Sequence, residues 1–293
     1  MMRAWWIIIF IVLFLEAGTL GVLLFLDGDV SYKNQNDKWD NVEQTIDIAQ
    51  DDYAIGDVVI IGTYEQDGNL KNGTEPIEWE IIEEINGEAL LICCNVLDCM
   101  AFGLNDNCYE WETCTLREWL NNSFYNESFT ESEKELINLV EIENPGLYQG
   151  YDANNTWIVS NTEQNIEKII FRSEDNKKTQ DRIFLLNCDE VQKYFYNTDR
   201  RRAFLTDYGI EKSIDVGIEM ANVSGVFDKE AVRSAYTHAE EEYGRGFCYW
   251  WLRTPGVESG SVAVVGYTGN TDQCELSTAE DGGVRPAMWI TLY

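Results

Sequence analysis

Ile77-Glu78-Trp79-Glu80-Ile81-Ile82-Glu83-Glu84-Ile85-Asn86-Gly87-Glu88-Ala89-Leu90-Leu91-Ile92-Cys93-Cys94 is the stretch that decides the fold class. Two apolar runs, Trp79 to Ile82 and Ala89 to Cys94, flank Asn86-Gly87. Asn-Gly tolerates the two positive φ angles of a tight hairpin turn better than other pairs, so the stretch predicts two antiparallel strands. Upstream, Ile55-Gly56-Asp57-Val58-Val59-Ile60-Ile61-Gly62 is a β-branched run that predicts a further strand, with a turn at Gln66-Asp67-Gly68-Asn69.

Helices are expected next. Thr115-Leu116-Arg117-Glu118 and Thr130-Glu131-Ser132-Glu133 have the hydroxyl and carboxylate spacing of capping boxes. They open segments running to Asn121 and to Val140. Residues 141–181 are polar and irregular and read as loops around a short strand, Trp157-Ile158-Val159. Arg182 to Leu186 reads as a buried strand, and Asp189 as the cap of a short helix carrying Val191, Tyr194 and Phe195. Residues 228–243 form an acidic, solvated helix with the single histidine, His238, which has no adjacent nucleophile and makes no triad. Three C-terminal strands follow, at 247–253, 261–267 and 284–292, the last two joined by a long polar loop, Thr268 to Gly283. Trp250 and Trp251, adjacent in a strand, face opposite sides, so at most one joins a given core face. With no repeat or linker, residues 52–293 read as one α+β domain.

Ahead of it, Trp5 to Leu26 runs apolar with Glu16 as the only ionisable side chain. As a helix it would be roughly 33 Å long, enough to cross a bilayer. A cleavable signal peptide is the competing reading, but Glu16-Ala17-Gly18 is a poor cleavage site and apolar residues resume after it. A transmembrane anchor over 5–26 is therefore expected, after a cytoplasmic tip at 1–4 and before a polar spacer at 27–51. Arg3 on one side and Asp27 and Asp29 on the other place the N-terminus in the cytoplasm and the domain outside the cell. Trp5 and Trp6 fit an interfacial belt or serve as apolar filler. Glu16 reads either as a protonated or snorkelling carboxyl or as a polar contact with a partner helix.

The chain carries 52 Asp and Glu against 21 Lys and Arg, a net charge of −31. Such a surface repels phosphates, which excludes nucleic acid as a partner and charge-driven adhesion to anionic lipid. It attracts cations and basic partners instead. Eight cysteines, Cys93, Cys94, Cys99, Cys108, Cys114, Cys188, Cys248 and Cys274, all fall in the external part, where disulfides are tolerated. Structural bridges are expected, with buried free thiols as the alternative. Zinc fits poorly, since no Cys-x-x-Cys pair occurs and the only His is distant.

Several segments carry a family likeness: Gly56-Asp57-Val58, Ile77-Glu78-Trp79-Glu80, Leu116-Arg117-x-Trp119-Leu120-Asn121-x-x-Phe124, Phe184-Leu185-Leu186-x-x-x-x-Glu190, Trp250-Trp251-Leu252-Arg253-Thr254-Pro255-Gly256 and Gly283-Val284-Arg285-Pro286-Ala287-Met288-Trp289-Ile290. Over residues 53–293 the chain resembles a bacterial domain family of unknown function found on cell-surface proteins of Gram-positive gut bacteria. That family is thought to share the C-type-lectin-like fold of the sulfatase-modifying factors. The resemblance implies a helix pair packed on a twisted antiparallel sheet, pairing of the N- and C-terminal strands, and ligand-holding loops. It does not imply the group's copper chemistry, because Cys248 and Cys274 lie 26 positions apart and do not match the close-spaced copper motif.

The function expected is a non-catalytic recognition module for a glycan, peptide or protein. Tyr148, Tyr151, Trp157 and Tyr267 would stack on sugar rings, and Asn154, Asn155, Asn270 and Asp272 would bond hydroxyls. Arg253 and Arg285 read as buried partners of helix carboxylates, or else as anchors for a ligand anion. A Ca²⁺ variant would use Asp272, Glu275, Glu280 and Asp281, although no Asp-x-Asp-x-Asp-Gly loop or Glu-Pro-Asn triplet is present. The alternatives are a scaffold or assembly subunit of a cell-surface complex and, more remotely, a carboxylate-based hydrolase.

Overall fold

In a computed structural model, which describes residues 53–145, 177–214, 248–256, 260–271 and 273–292, Asn86 and Gly87 take φ of 56° and 81°. They join β2 (Glu75–Ile85) to β3 (Glu88–Cys93) as an antiparallel hairpin. β1 (Val58–Tyr64) adds to the outer edge of β2. The C-terminal strand β12 (Ala287–Thr291) adds to β3, and β7 (Ile183–Phe184) completes the sheet. The order is β1-β2-β3-β12-β7, antiparallel throughout, with β2 and β3 between β1 and β12.

A second sheet has the order β10 (Gln273–Leu276), β9 (Ser261–Val265), β8 (Trp250–Pro255), β11 (Gly283–Val284) and β4 (Asp98–Cys99). Only β8 and β11 run parallel. β8 is buried at every position, so its two tryptophans are both fully enclosed. The sheet is covered on both faces, and each indole N–H finds a carbonyl: Trp250 Nε1 donates to Arg201 O at 3.0 Å, and Trp251 Nε1 to Met100 O at 2.9 Å. A two-stranded ribbon, β5 (Val140–Asn144) with β6 (Lys177–Asp181), occupies ground expected to be loop. β10 likewise lies inside the expected 268–283 loop, as the return strand of a hairpin with β9.

Two of the chain's passages between the two sheets run side by side: β3 leads into β4, and β11 into β12. The last expected strand is thereby split, β11 in one sheet and β12 in the other, at Arg285-Pro286. Backbone bonds weld the two crossings, Cys93 N to Pro286 O at 2.9 Å and Leu97 N to Val284 O at 3.0 Å. Both sheets contribute to one hydrophobic core that includes Trp79, Leu91, Phe124, Phe184, Trp250 and Met288.

Helices α1 (Thr115–Trp119), a π turn (Leu120–Phe124) and α2 (Tyr125–Ser128) follow one another directly. The cap of α1 is Cys114, whose Sγ accepts from Arg117 N, rather than Thr115, whose hydroxyl turns to Phe102 O. α3 (Glu131–Leu136) opens with the predicted Thr130–Glu133 box but stops short of Val140, which starts β5. α4 (Cys188–Tyr194) is capped by a reciprocal Asn187–Glu190 box, two residues earlier than the expected Asp189. α5 (Thr198–Arg201) follows, and residues 207–214 form a further helical stretch. Lys193 and Arg200 tie α4 and α5 to Glu83 and Glu80 on β2.

No helix among the described residues is long and apolar enough to cross a membrane. The anchor segment 5–26, the spacer 27–51, the strand expected at 157–159 and the helix expected at 228–243 with His238 lie outside the described residues. All eight cysteines are described, and all are free thiols, which corrects the expectation of bridges. Part of the reason is local. Cys93 and Cys94 are neighbours at the end of a strand, where side chains alternate between faces and cannot easily bridge each other.

Candidate functional site

Of the residues singled out for ligand binding, Tyr148, Tyr151, Asn154, Asn155, Trp157 and Asp272 lie outside the described residues. Tyr267 and Asn270 stand in the turn that joins β9 to β10, and Asp281 and Glu275 lie close enough to act on the Tyr267 phenol. β9 continues through Gly266 into a tight turn, closed by Gly269 N to Gly266 O and Gly266 N to Asn270 O, both 2.8 Å. Gly269 has φ +82°, and a Cβ there would stand 2.0 Å from Thr198 O, so the turn presses on α5 and needs glycine. Arg202 Nε fastens the turn by donating to Tyr267 O at 3.1 Å.

The turn presents a propped aromatic ring. Tyr267 is 49% exposed. Its ring meets that of Tyr249 edge-on, with centroids 5.9 Å apart, and Tyr249 meets the buried Trp251 in the same way at 5.8 Å. Tyr249 O–H donates to Asp281 Oδ1 at 2.6 Å. Edge-to-face packing of this kind fixes ring orientation as well as burying area. The stack therefore runs from the core to the surface; the exposed Asn270 belongs to the same turn as Tyr267, and the exposed Glu275 acts electrostatically on its phenol.

Electrostatics keep the hydroxyls neutral. Burial, reinforced by Asp281, raises the Tyr249 phenol far above its ordinary value. Burial, with Cys248, Asp281 and Glu275 nearby, does the same for Tyr267. Glu275 is itself raised, first by partial desolvation and then by Asp281. Cys99 and Cys248 lie close by, and burial lifts both thiols well above the range where a thiolate forms at neutral pH, so neither is an activated nucleophile. The face offers the neutral O–H of Tyr267, carboxylate acceptors and an apolar ring in a negative field. Polyols and cationic groups suit it, and anions do not.

Arg253 and Arg285 lie in the interior, 1% and 3% exposed. Arg253 forms the expected carboxylate pair, Nη1 and Nη2 reaching Glu190 at 2.5 and 2.6 Å, and Nη1 also donates to Leu185 O at 2.6 Å. Arg285 takes no such pair among the described residues. Its Nε donates to Cys93 O at 2.8 Å, and its guanidinium lies over Trp250 and Phe195 at 5.1 and 5.6 Å. It thus bridges the two crossings, and burial lowers its pKa. An anion would reach either arginine only by opening the core.

Sequence reasoning overlooked Tyr249, the prop of the exposed ring, and Asp98. The latter is 1% exposed and accepts from Tyr64 O–H, Lys212 Nζ and Cys99 N, each at 2.6 Å, joining β1, β4 and the 207–214 helix. Burial, reinforced by Asp98, raises Tyr64. The Lys212 partner is the signal that was missing, since it comes from 114 residues away.

Among the described residues, Glu275, Glu280 and Asp281 do not converge as metal ligands. The carboxylates that do are Glu65, Asp67 and Glu75, in the loop between β1 and β2.

No curated protein and no solved structure matches the chain. A family described as a domain of unknown function, DUF6273, matches residues 86–292, from the hairpin turn through β12 and including both crossings and the propped ring. That span is most of the chain, and the chain belongs to the DUF6273 family.

Proposed function

We propose that this chain is a membrane-anchored, extracytoplasmic recognition module that binds a glycan, peptide or protein through surface loops without transforming it. The observation that carries the reading is the exposed Tyr267 ring, held by Tyr249 and Asp281 on a hairpin with Asn270 and Glu275 alongside. A rigid aromatic surface ringed by hydrogen-bonding groups suits a sugar face, because little side-chain entropy is lost on binding. The apolar Trp5–Leu26 segment supports the anchor, and the charge asymmetry around it supports an N-terminus in the cytoplasm. The relation to C-type-lectin-like folds is part of the same reading and rests on the Trp-Trp-Leu-Arg and Gly-Val-Arg-Pro-Ala motifs.

The test is a glycan and cell-wall polysaccharide array probed with residues 27–293, alongside Tyr267→Ala. Specific binding by the parent that falls at least about tenfold in the variant, with the unfolding free energy lowered by no more than about 1 kcal/mol, is the expected result. A folded parent that binds nothing on the array turns the reading toward an assembly subunit.

A further inference from the structure

The loop between β1 and β2 brings three carboxylates together, and the loop's lysine, Lys71, forms no ion pair with them. One ligand oxygen each from Glu65, Asp67 and Glu75 lie within 4.8 Å of one another. Among the described residues no Lys or Arg pairs with any of the three. Elsewhere the fold neutralises its inward-facing acids: Asp98 has Lys212, Asp181 has Arg117, and Glu190 has Arg253. Here it does not.

Glu65 supplies the second observation. It is only 9% exposed, and its Oε1 is buried with no hydrogen-bond partner among the described residues. A carboxylate oxygen taken out of water and left unbonded costs free energy that a bound cation would recover. The other two acids are held in place by donors. Asp67 accepts from Asn69 N and Asn72 Nδ2, both at 2.7 Å. Glu75 Oε2 accepts from Gln66 N at 2.8 Å and Asp67 N at 3.3 Å, and no hydrogen bond is recorded to its Oε1. Gln66 Nε2 clamps the base of the loop to Pro76 O at 2.9 Å, and Tyr208 N ties it to the 207–214 helix through Gln66 O at 3.0 Å. The carboxylates are therefore preorganised at a braced loop rather than scattered on a mobile one.

From this arrangement we propose that Glu65, Asp67 and Glu75 form a Ca²⁺ site. The donor set is all oxygen, which selects a hard cation over zinc or copper. Two oxygens on one Ca²⁺ stand at most about 5 Å apart, at Ca–O distances of about 2.3–2.6 Å, and the observed spread fits that limit. Loop carbonyls and water complete the coordination. The site lies outside the family segment, which begins at residue 86, and is separate from the Tyr267 face.

The experiment titrates Ca²⁺ into the chelator-stripped full-length chain, following heat and the unfolding midpoint, with Mg²⁺ as comparison. Glu65→Gln and Asp67→Asn are the test variants, and the exposed Glu84→Gln with Glu135→Gln the control. Expected are one Ca²⁺ per chain, a raised unfolding midpoint, a loss of affinity of tenfold or more in each test variant, and no change in the control. In chelator Glu65→Gln should be at least as stable as the parent, because it removes repulsion without removing a partner; this separates lost binding from misfolding. No Ca²⁺ uptake by the parent at millimolar concentration overturns the proposal, and so does uptake undiminished by both test variants.

Discussion

Arg253 shows how a residue with two readings is decided by its surroundings. Both forks of its guanidinium are occupied by Glu190, and Glu190 also closes the cap of α4 by accepting from Asn187 N at 2.8 Å. One ion pair therefore joins β8 to a helix start. Removing one partner of a buried pair is costlier than the pair is worth, since the other charge is left without a counterion. Arg253→Met is expected to cost about 3–5 kcal/mol, read as a fall in the urea midpoint with an unchanged slope. A loss below about 1 kcal/mol would mean that Glu190 is solvated and that the arginine is free for another role. The pairing of Arg253 was legible in the sequence as a type of interaction, because arginine in an acidic chain seeks carboxylates. That of Arg285 was not: its partners are carbonyls and ring faces, which any segment supplies and no motif announces.

Among the elements, legibility follows the strength of the local signal. The Asn86-Gly87 hairpin, the strands near 58, 250 and 261 and the Thr130 cap are where pattern and turn chemistry place them. β6 was missed because Lys177-Lys178-Thr179-Gln180-Asp181 has no apolar residue; its inward positions are Thr179 and Asp181, satisfied by Asn144, Trp111 and Arg117. The π turn at Leu120–Phe124 was missed because its residues read as ordinary helix. Its use is visible only in three dimensions, where Asn121 mates with the start of β7. The side chain donates to Ile183 O at 2.8 Å and to Arg117 O at 3.1 Å, and accepts from Arg182 N at 2.8 Å. Asn121→Ala removes the side-chain partner of Arg182 N and Ile183 O, while Arg117 O keeps the Leu120 N–H, and is expected to cost about 1–3 kcal/mol. Hydrogen exchange locates the effect: the Arg182 and Ile183 amides should lose protection before those of β3, and equal protection in parent and variant would show that the contact does not hold β7.

For the whole molecule, the composition showed the acidity, but it could not show how the chain shares strands between two sheets. That sharing depends on Arg285-Pro286 and on pairings over nearly two hundred residues. It also decides the state of the thiols. Cys93, Cys99 and Cys248 sit at or beside the crossings, in the interior, and burial is the first cause of the rise in each pKa. Cys93 and Cys114 are pushed up to about 12, and Cys94 to about 11, from an ordinary value near 9.0. These thiols stay protonated in the folded chain at pH values where the unfolded chain ionises, so the unfolded state releases protons that the folded state keeps. Stability is then fully present below about pH 9 and falls as pH rises from there toward 12, by up to about 1.4 kcal/mol per pH unit for each such thiol. The urea midpoint should be level between pH 7 and about 8.5 and drop steeply above pH 9. Iodoacetamide at pH 8 supplies the residue-level check. In the native protein Cys93, Cys99, Cys114 and Cys248 should be protected and the half-buried Cys108 and Cys274 modified, whereas in urea all should react. Equal labelling of the two sets in the native state, or a midpoint indifferent to pH between 8 and 11, would contradict the enclosure of the thiols and with it the packing of the crossings between the sheets.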